Sequence, residues 1–98
     1  MRELLAPLVG QRRRFRAVVD ALGVRPDGVL TVCLRDITDG ETGRALCDHV
    51  WIPWPRSVGR ARVLPGAALA FVAVVRPYRR SNGHTDYELT ALRQMRNR

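Results

Sequence analysis

Apolar and polar positions alternate in five stretches of the chain, and this period of two predicts five β-strands. The clearest stretch is 44–55. One of its faces carries Leu46, Asp48, Val50 and Ile52, and the other carries Ala45, Cys47, His49 and Trp51. The other four predicted strands cover 12–22, 29–37, 67–78 and 85–93. Each has one mainly apolar face, so the five strands can enclose one core.

Turn sequences predict how these strands are connected. Pro26-Asp27-Gly28, Asp39-Gly40 and Asn82-Gly83 are typical of tight turns, and they join the first strand to the second, the second to the third and the fourth to the fifth. The connection 53–66 contains three prolines and two glycines. It therefore predicts a crossover, with a short helical turn over 56–62, rather than a hairpin.

Five strands with a helical crossover after the third match the OB-fold, a five-stranded Greek-key barrel. The sequence thus predicts an all-β, single-domain OB-fold over 12–93, with an SH3-like barrel as the alternative. In the SH3-like barrel the helical turn normally precedes the last strand. Residues 1–11 are expected to form a lead-in or short helix, and 94–98 a flexible basic tail.

The charge of the chain points to a polyanionic partner. Among its 98 residues are 17 basic ones, all arginine, and the formal net charge is +8. A charge of this size on so small a domain favours nucleic acid. A membrane surface is the competing polyanion, but no basic amphipathic helix supports it. With neither a signal peptide nor a spanning segment in the sequence, we expect a cytoplasmic protein.

Residues that could support catalysis or metal binding are sparse. Cys33, Cys47, His49 and His84 are too few and too widely spaced for a typical zinc site. Cys47 and His49 lie on one predicted strand face without a third catalytic partner. We therefore expect a non-catalytic protein with no metal and no cofactor.

Several of these strands resemble a known family. The most specific segment is Asp48-His49-Val50-Trp51, supported by residues 14–18, 30–36, 65–66, 71–78 and 86–89. Together they resemble a family of small, largely uncharacterised bacterial and phage proteins that are regarded as OB-fold, probable nucleic-acid-binding proteins. The resemblance covers most of 12–89 and implies a fold and a binding class, but no reaction.

The predicted binding surface lies on the second and third strands, where OB-folds hold oligonucleotides. Arg35, His49 and Trp51 share one face there. Further candidates for nucleic-acid contact are Arg14, Arg16, Arg25, Arg76, Tyr78, Arg79 and Arg80. Aromatic rings stack on bases and guanidinium groups bind phosphates, so this set predicts binding of single-stranded DNA or RNA. The alternative for Trp51 is burial in the core.

A second surface predicts a protein interface. If the first and fourth strands pair, their outer face carries Val18, Ala70, Val72 and Val74. An exposed apolar patch of this kind marks a contact with a second copy or another protein. Leu4, Leu5 and Leu8 could instead cover it within the chain. The alternative function is therefore an OB-fold assembly subunit with only nonspecific nucleic-acid contact.

Overall fold

Five antiparallel β-strands form nearly all of the regular structure. The computed structural model describes residues 3–53 and 63–98. These contain a 3-10 helix at Glu3–Leu8, β1 at Arg12–Val24, β2 at Leu30–Asp39, β3 at Ala45–Pro53, β4 at Ala68–Arg79 and β5 at Thr85–Asn97. The prediction of a five-stranded all-β protein is confirmed, whereas the helical turn predicted over 56–62 lies outside the described residues.

The strands form one sheet in the order β3-β2-β1-β4-β5, and every neighbouring pair is antiparallel. The expected closure into a barrel is not present in the described part of the chain. β3 and β5 lie at opposite edges of the sheet, and no ladder joins them. No helix in the described ranges is long and apolar enough to span a bilayer.

The core lies on one face of this sheet, which we call the inner face. Phe15 of β1 and Phe71 of β4 stack at its centre with ring centroids 5.9 Å apart. Leu5, from the 3-10 helix, is fully buried in the same cluster. The N-terminal leucines therefore do not cover the outer face of β4, because Leu5 packs on the inner face and Leu4 remains 45% exposed.

β5 extends beyond the strand end expected from the sequence. Two register shifts against β4 each insert one extra residue into β5, and Ala91 and Gln94 adopt positive φ there. Each bulge shifts the alternation by one residue, so Leu89, Leu92 and Met95 reach the core at a spacing of three. Residues 94–97 consequently belong to the sheet, although the sequence pattern assigns them to a mobile tail.

A third irregularity changes which residues of β3 face the core. Asp36 has φ 53° and interrupts the alternation of β2, so Arg35 points outward while Ile37 is buried. β3 follows its partner, since His49 pairs with Arg35 and Cys47 pairs with Ile37. Cys47 is thus a core residue, not a neighbour of His49 on the outer face as the simple period of two predicts.

Candidate functional site

Trp51 lies on the outer face of β3 and is 53% exposed. Its ring extends across β2 as far as β1, where indole Cζ3 lies 3.4 Å from the point that a Cβ on Gly23 would occupy. A Cβ at that point would be in ordinary van der Waals contact with the indole, and its tighter contact would be with Thr31 Oγ1, at 3.1 Å. Cys33, which pairs with Trp51 in the register, is only 3% exposed. The six-membered ring of the indole therefore lies near β1, while about half of the residue is open to solvent.

Arg35 and His49 lie beside Trp51, and a carboxylate from β1 links them. Asp20, at a register shift between β1 and β2, lies 3.5 Å from His49 Nε2 and 3.7 Å from Arg35 Nε. Arg35 also donates a hydrogen bond to Asp36. The structure thus brings together the three residues expected on this face. Two carboxylates, which the sequence pattern did not indicate, offset the charge of Arg35.

Arg25 belongs to the turn between β1 and β2. Its guanidinium donates to Asp27, and the backbone N–H of Val29 donates to the same carboxylate at 3.1 Å. The Val29 N–H first, and Arg25 second, hold the pKa of Asp27 below its usual value. Arg25 therefore has a turn-stabilising contact that sequence reasoning missed.

The β4–β5 turn faces β3 across the gap between the two edge strands of the sheet, β3 and β5. Arg80 Nε is 3.0 Å from Asp86, and the Tyr78 hydroxyl donates to the same carboxylate at 3.4 Å. Interaction with Tyr78 first, and with Asp86 second, raises the pKa of Arg80. Arg80, His84 and His49 line one cleft of about 670 Å³. This cleft brings residues of the turn next to His49 of β3.

Arg14 and Arg16 lie elsewhere on the outer face. They line a groove of about 440 Å³ whose opposite side is formed by Arg96 and Arg98. Arg76 and Arg79 are exposed on β4, near the β4–β5 turn. The predicted arginines therefore form more than one cluster. Arg96 and Arg98 were missed because the two β5 bulges that position them leave no recognisable sequence signal.

The expected apolar interface is smaller than the sequence predicts. Val18, Ala70 and Val72 are half-buried on the outer face, but Val74 is only 6% exposed. Val74 is buried by the chain itself, and its carbonyl accepts a hydrogen bond from Thr90. It cannot contribute to a surface for another molecule.

The described ranges contain no group of three or more His, Cys, Asp or Glu side chains placed to hold a metal ion. Neither cysteine forms a disulfide, and both are buried, with Cys33 beneath the outer face and Cys47 in the core. No family model, curated protein or solved structure matches this chain. The fold and site define an open, five-stranded antiparallel β-protein with an exposed tryptophan and separate arginine clusters on its outer face.

Proposed function

We propose that this protein is a non-catalytic module that binds single-stranded DNA or RNA. The observation that carries the proposal is the Trp51 indole, which lies across the outer face with about half of its surface in solvent. A rigid ring held in this way offers one flat face to an unpaired base. Stacking of a base on one aromatic side chain contributes about 1–3 kcal/mol and depends little on the base.

The order of the strands supports an OB-type module. An OB-fold is a partly open barrel of five strands that binds oligonucleotides on β2 and β3, between the β1–β2 and β4–β5 loops. Opening such a barrel between β3 and β5 gives the neighbour order β3-β2-β1-β4-β5 found here. Trp51 on β3 and Arg35 on β2 then occupy the oligonucleotide-binding face, and Arg80 of the β4–β5 turn flanks it.

The residues beside Trp51 suit a contact that reads bases more than phosphates. Arg35 is paired with Asp20 and Asp36, so little of its positive charge is left for a phosphate. His49 has its Nε2 near Asp20 and exposes 56% of its side chain. These groups can hydrogen-bond the edge of a base that is stacked on the indole.

Fluorescence anisotropy with labelled 15-mers tests this function. The wild-type protein is expected to bind dT15 or rU15 more tightly than a 15-base-pair duplex at the same salt concentration. Trp51→Ala is expected to raise the dissociation constant for the single strand about 5- to 150-fold, which corresponds to 1–3 kcal/mol. Trp51→Phe keeps a stacking ring and should recover part of the affinity.

Leu64→Ala is the matched control, because Leu64 is a large apolar side chain that is 59% exposed and lies outside the five strands. Circular dichroism should show that all three variants keep the wild-type fold. Equal affinity for single strand and duplex, with no effect of Trp51→Ala, would contradict the proposal. Unfolding of Trp51→Ala would also contradict it, because the ring would then be part of the core.

An assembly subunit is the second candidate function. Its support is the half-buried apolar strip of Val18, Ala70 and Val72 on β1 and β4. These side chains are small, and Val74 is already buried. Light scattering distinguishes the two candidates, since a module that binds nucleic acid through Trp51 needs no second copy.

A further inference from the structure

A groove bounded by arginines crosses the outer face where β1, β4 and β5 run side by side. Its walls are Arg14 and Arg16 on β1 and Arg96 and Arg98 at the end of β5, and its floor is Ala70 and Val72 of β4. We call it the arginine groove. In the register, Arg16 pairs with Ala70 and Ala70 with Arg96, so two guanidiniums flank one small side chain.

The next row repeats this arrangement. Arg14 pairs with Val72, and Val72 pairs with Arg93. Two strand spacings separate the two walls by about 10 Å, and two residues along β1 separate the rows by about 7 Å. The groove therefore presents paired positive charges across a shallow apolar floor, repeated along its length.

Four arginines outside the groove differ from those that line it in their partners, whereas Arg12, Arg44, Arg76 and Arg79 also have no ion pair within the described residues. Arg13, Arg25, Arg35 and Arg80 each lie against a carboxylate. Within residues 3–53 and 63–98, no ion pair involves Arg14, Arg16, Arg93, Arg96 or Arg98. Glu41 is the acidic residue that lines the adjoining cleft beside Arg14 and Arg93. The groove thus concentrates positive charge that the fold itself leaves without a partner.

This charge argues against a second copy as the occupant. A two-fold contact over the groove would place the same arginines against each other, and like charges in close contact are strongly unfavourable. The floor of Ala70 and Val72 offers no deep apolar pocket for a protein anchor. Guanidinium groups suit phosphate oxygens because they can donate two parallel hydrogen bonds.

We propose that the arginine groove binds the sugar–phosphate backbone of the nucleic acid whose bases contact Trp51. The inference rests on the proposed function for the identity of the ligand and adds the place where its phosphates bind. Phe15 and Phe71 are the two aromatic residues that border the groove, and they are only 1% and 2% exposed because their side chains point to the inner face. Contact there is consequently independent of base sequence. Trp51 pairs with Cys33 on β2, and Cys33 pairs with Ala21 on β1. Ala21 lies five residues from Arg16, roughly 16 Å along the strand, which one oligonucleotide can span.

The test is the salt dependence of binding for two triple variants of equal charge. The first is Arg14→Gln/Arg16→Gln/Arg96→Gln in the groove. The control is Arg56→Gln/Arg60→Gln/Arg62→Gln, which removes three arginines of the chain between β3 and β4. The groove variant is expected to bind dT15 about tenfold or more weakly at 100 mM NaCl than the control does. The negative slope of the logarithm of the association constant against the logarithm of the salt concentration should become shallower by about 2 in the groove variant, or roughly 0.7 for each lost phosphate contact.

A 15-base-pair duplex separates this inference from the proposed function. The groove variant should lose duplex affinity as well, whereas Trp51→Ala should affect the single strand alone. If both triple variants weaken binding equally, net charge explains the effect and the groove inference is overturned, while the tryptophan result still stands. If Trp51→Ala has no effect but the groove variant still loses affinity, the stacking function fails and the groove remains.

A single substitution provides a second line of evidence. Val72→Glu places a carboxylate on the half-buried floor between Arg14 and Arg93, and it should weaken binding of both oligonucleotides as the triple variant does. Light scattering gives a further outcome: a wild-type dimer that the groove variant converts to monomer would overturn the inference in favour of a second copy.

Discussion

Asp39 is the buried carboxylate that connects the β2–β3 turn to the start of β1. It is 6% exposed, and its Oδ1 accepts hydrogen bonds from the backbone N–H groups of Glu41 and Thr42 at 2.8 and 3.2 Å. Its Oδ2 accepts one from Arg13 at 2.7 Å. Two neighbouring arginines therefore have different roles, because Arg13 is held by Asp39 while Arg14 points into the groove. Partners, rather than position in an arginine run, decide which side chains are available to a ligand.

The same contacts predict how stability depends on pH. The Glu41 N–H first, and Arg13 second, lower the pKa of Asp39 below its usual 3.8. A lowered folded-state pKa contributes stability above 3.8, and that contribution is lost as pH falls through the folded-state value. Asp39→Asn is therefore expected to lower the free energy of unfolding by about 1–3 kcal/mol at pH 7, with a smaller deficit as the pH approaches 3.

Urea unfolding of the wild type and Asp39→Asn from pH 7 to pH 3 measures this deficit. The control is Glu41→Gln, which neutralises an exposed carboxylate two residues away and should change stability by no more than about 0.5 kcal/mol. A deficit that stays constant over the whole pH range would show that Asp39 acts through the shape of its side chain and not through its charge.

At the scale of the element, β5 gains its last residues through two bulges. Ala91 and Gln94 adopt left-handed conformations that cost L-residues free energy, and neither is glycine. The compensating contacts are Leu92 and Met95 against the core and the N–H of Arg98, which donates to the carbonyl of Ala68. The bulges thus extend β5 along β4 and place Arg93 and Arg96 across from β1.

Met95→Ala tests whether this end of β5 contributes to the fold. Met95 is 8% exposed, so truncation should lower the free energy of unfolding by about 2 kcal/mol through lost burial and a residual cavity. Leu4→Ala, at a side chain that is 45% exposed, serves as the control and should cost well under half of that. Chemical denaturation measures both. Equal, negligible effects would mean that residues 94–98 behave as the tail that the sequence pattern suggests.

At the scale of the whole molecule, charge is distributed unevenly over one continuous outer face. Asp20 and Asp36 lie with Arg35 on the β1–β2 side, while the arginine groove on β1, β4 and β5 holds unpaired positive charge. A ligand on this face meets an aromatic ring beside an arginine whose charge is balanced by carboxylates at one place, and the arginine groove at another. Part of the net charge of +8 is therefore concentrated in the arginine groove.

This distribution predicts that salt stabilises the free protein. The groove walls lie about 10 Å apart, close to the distance over which about 0.1 M salt screens charge, so their repulsion should weaken as ionic strength rises. The thermal midpoint is expected to rise by a few degrees between 20 and 300 mM NaCl, as followed by circular dichroism. The groove triple variant should start with a higher midpoint and respond less. A midpoint that falls with salt would contradict the assigned charge distribution.

Local pattern determined where the five strands of this protein lie. Alternation located all five, turn residues joined three pairs of them, and Trp51 was expected on the same strand face as His49, because these signals need only neighbours in sequence. Only the tertiary structure decided three further features: the burial of Cys47, the extension of β5 to Asn97, and which arginines lie against a carboxylate. Bulges at residues other than glycine carry no local signature. Ion pairs such as Arg13 with Asp39 join residues 26 apart in sequence, so the register of the sheet alone brings them together.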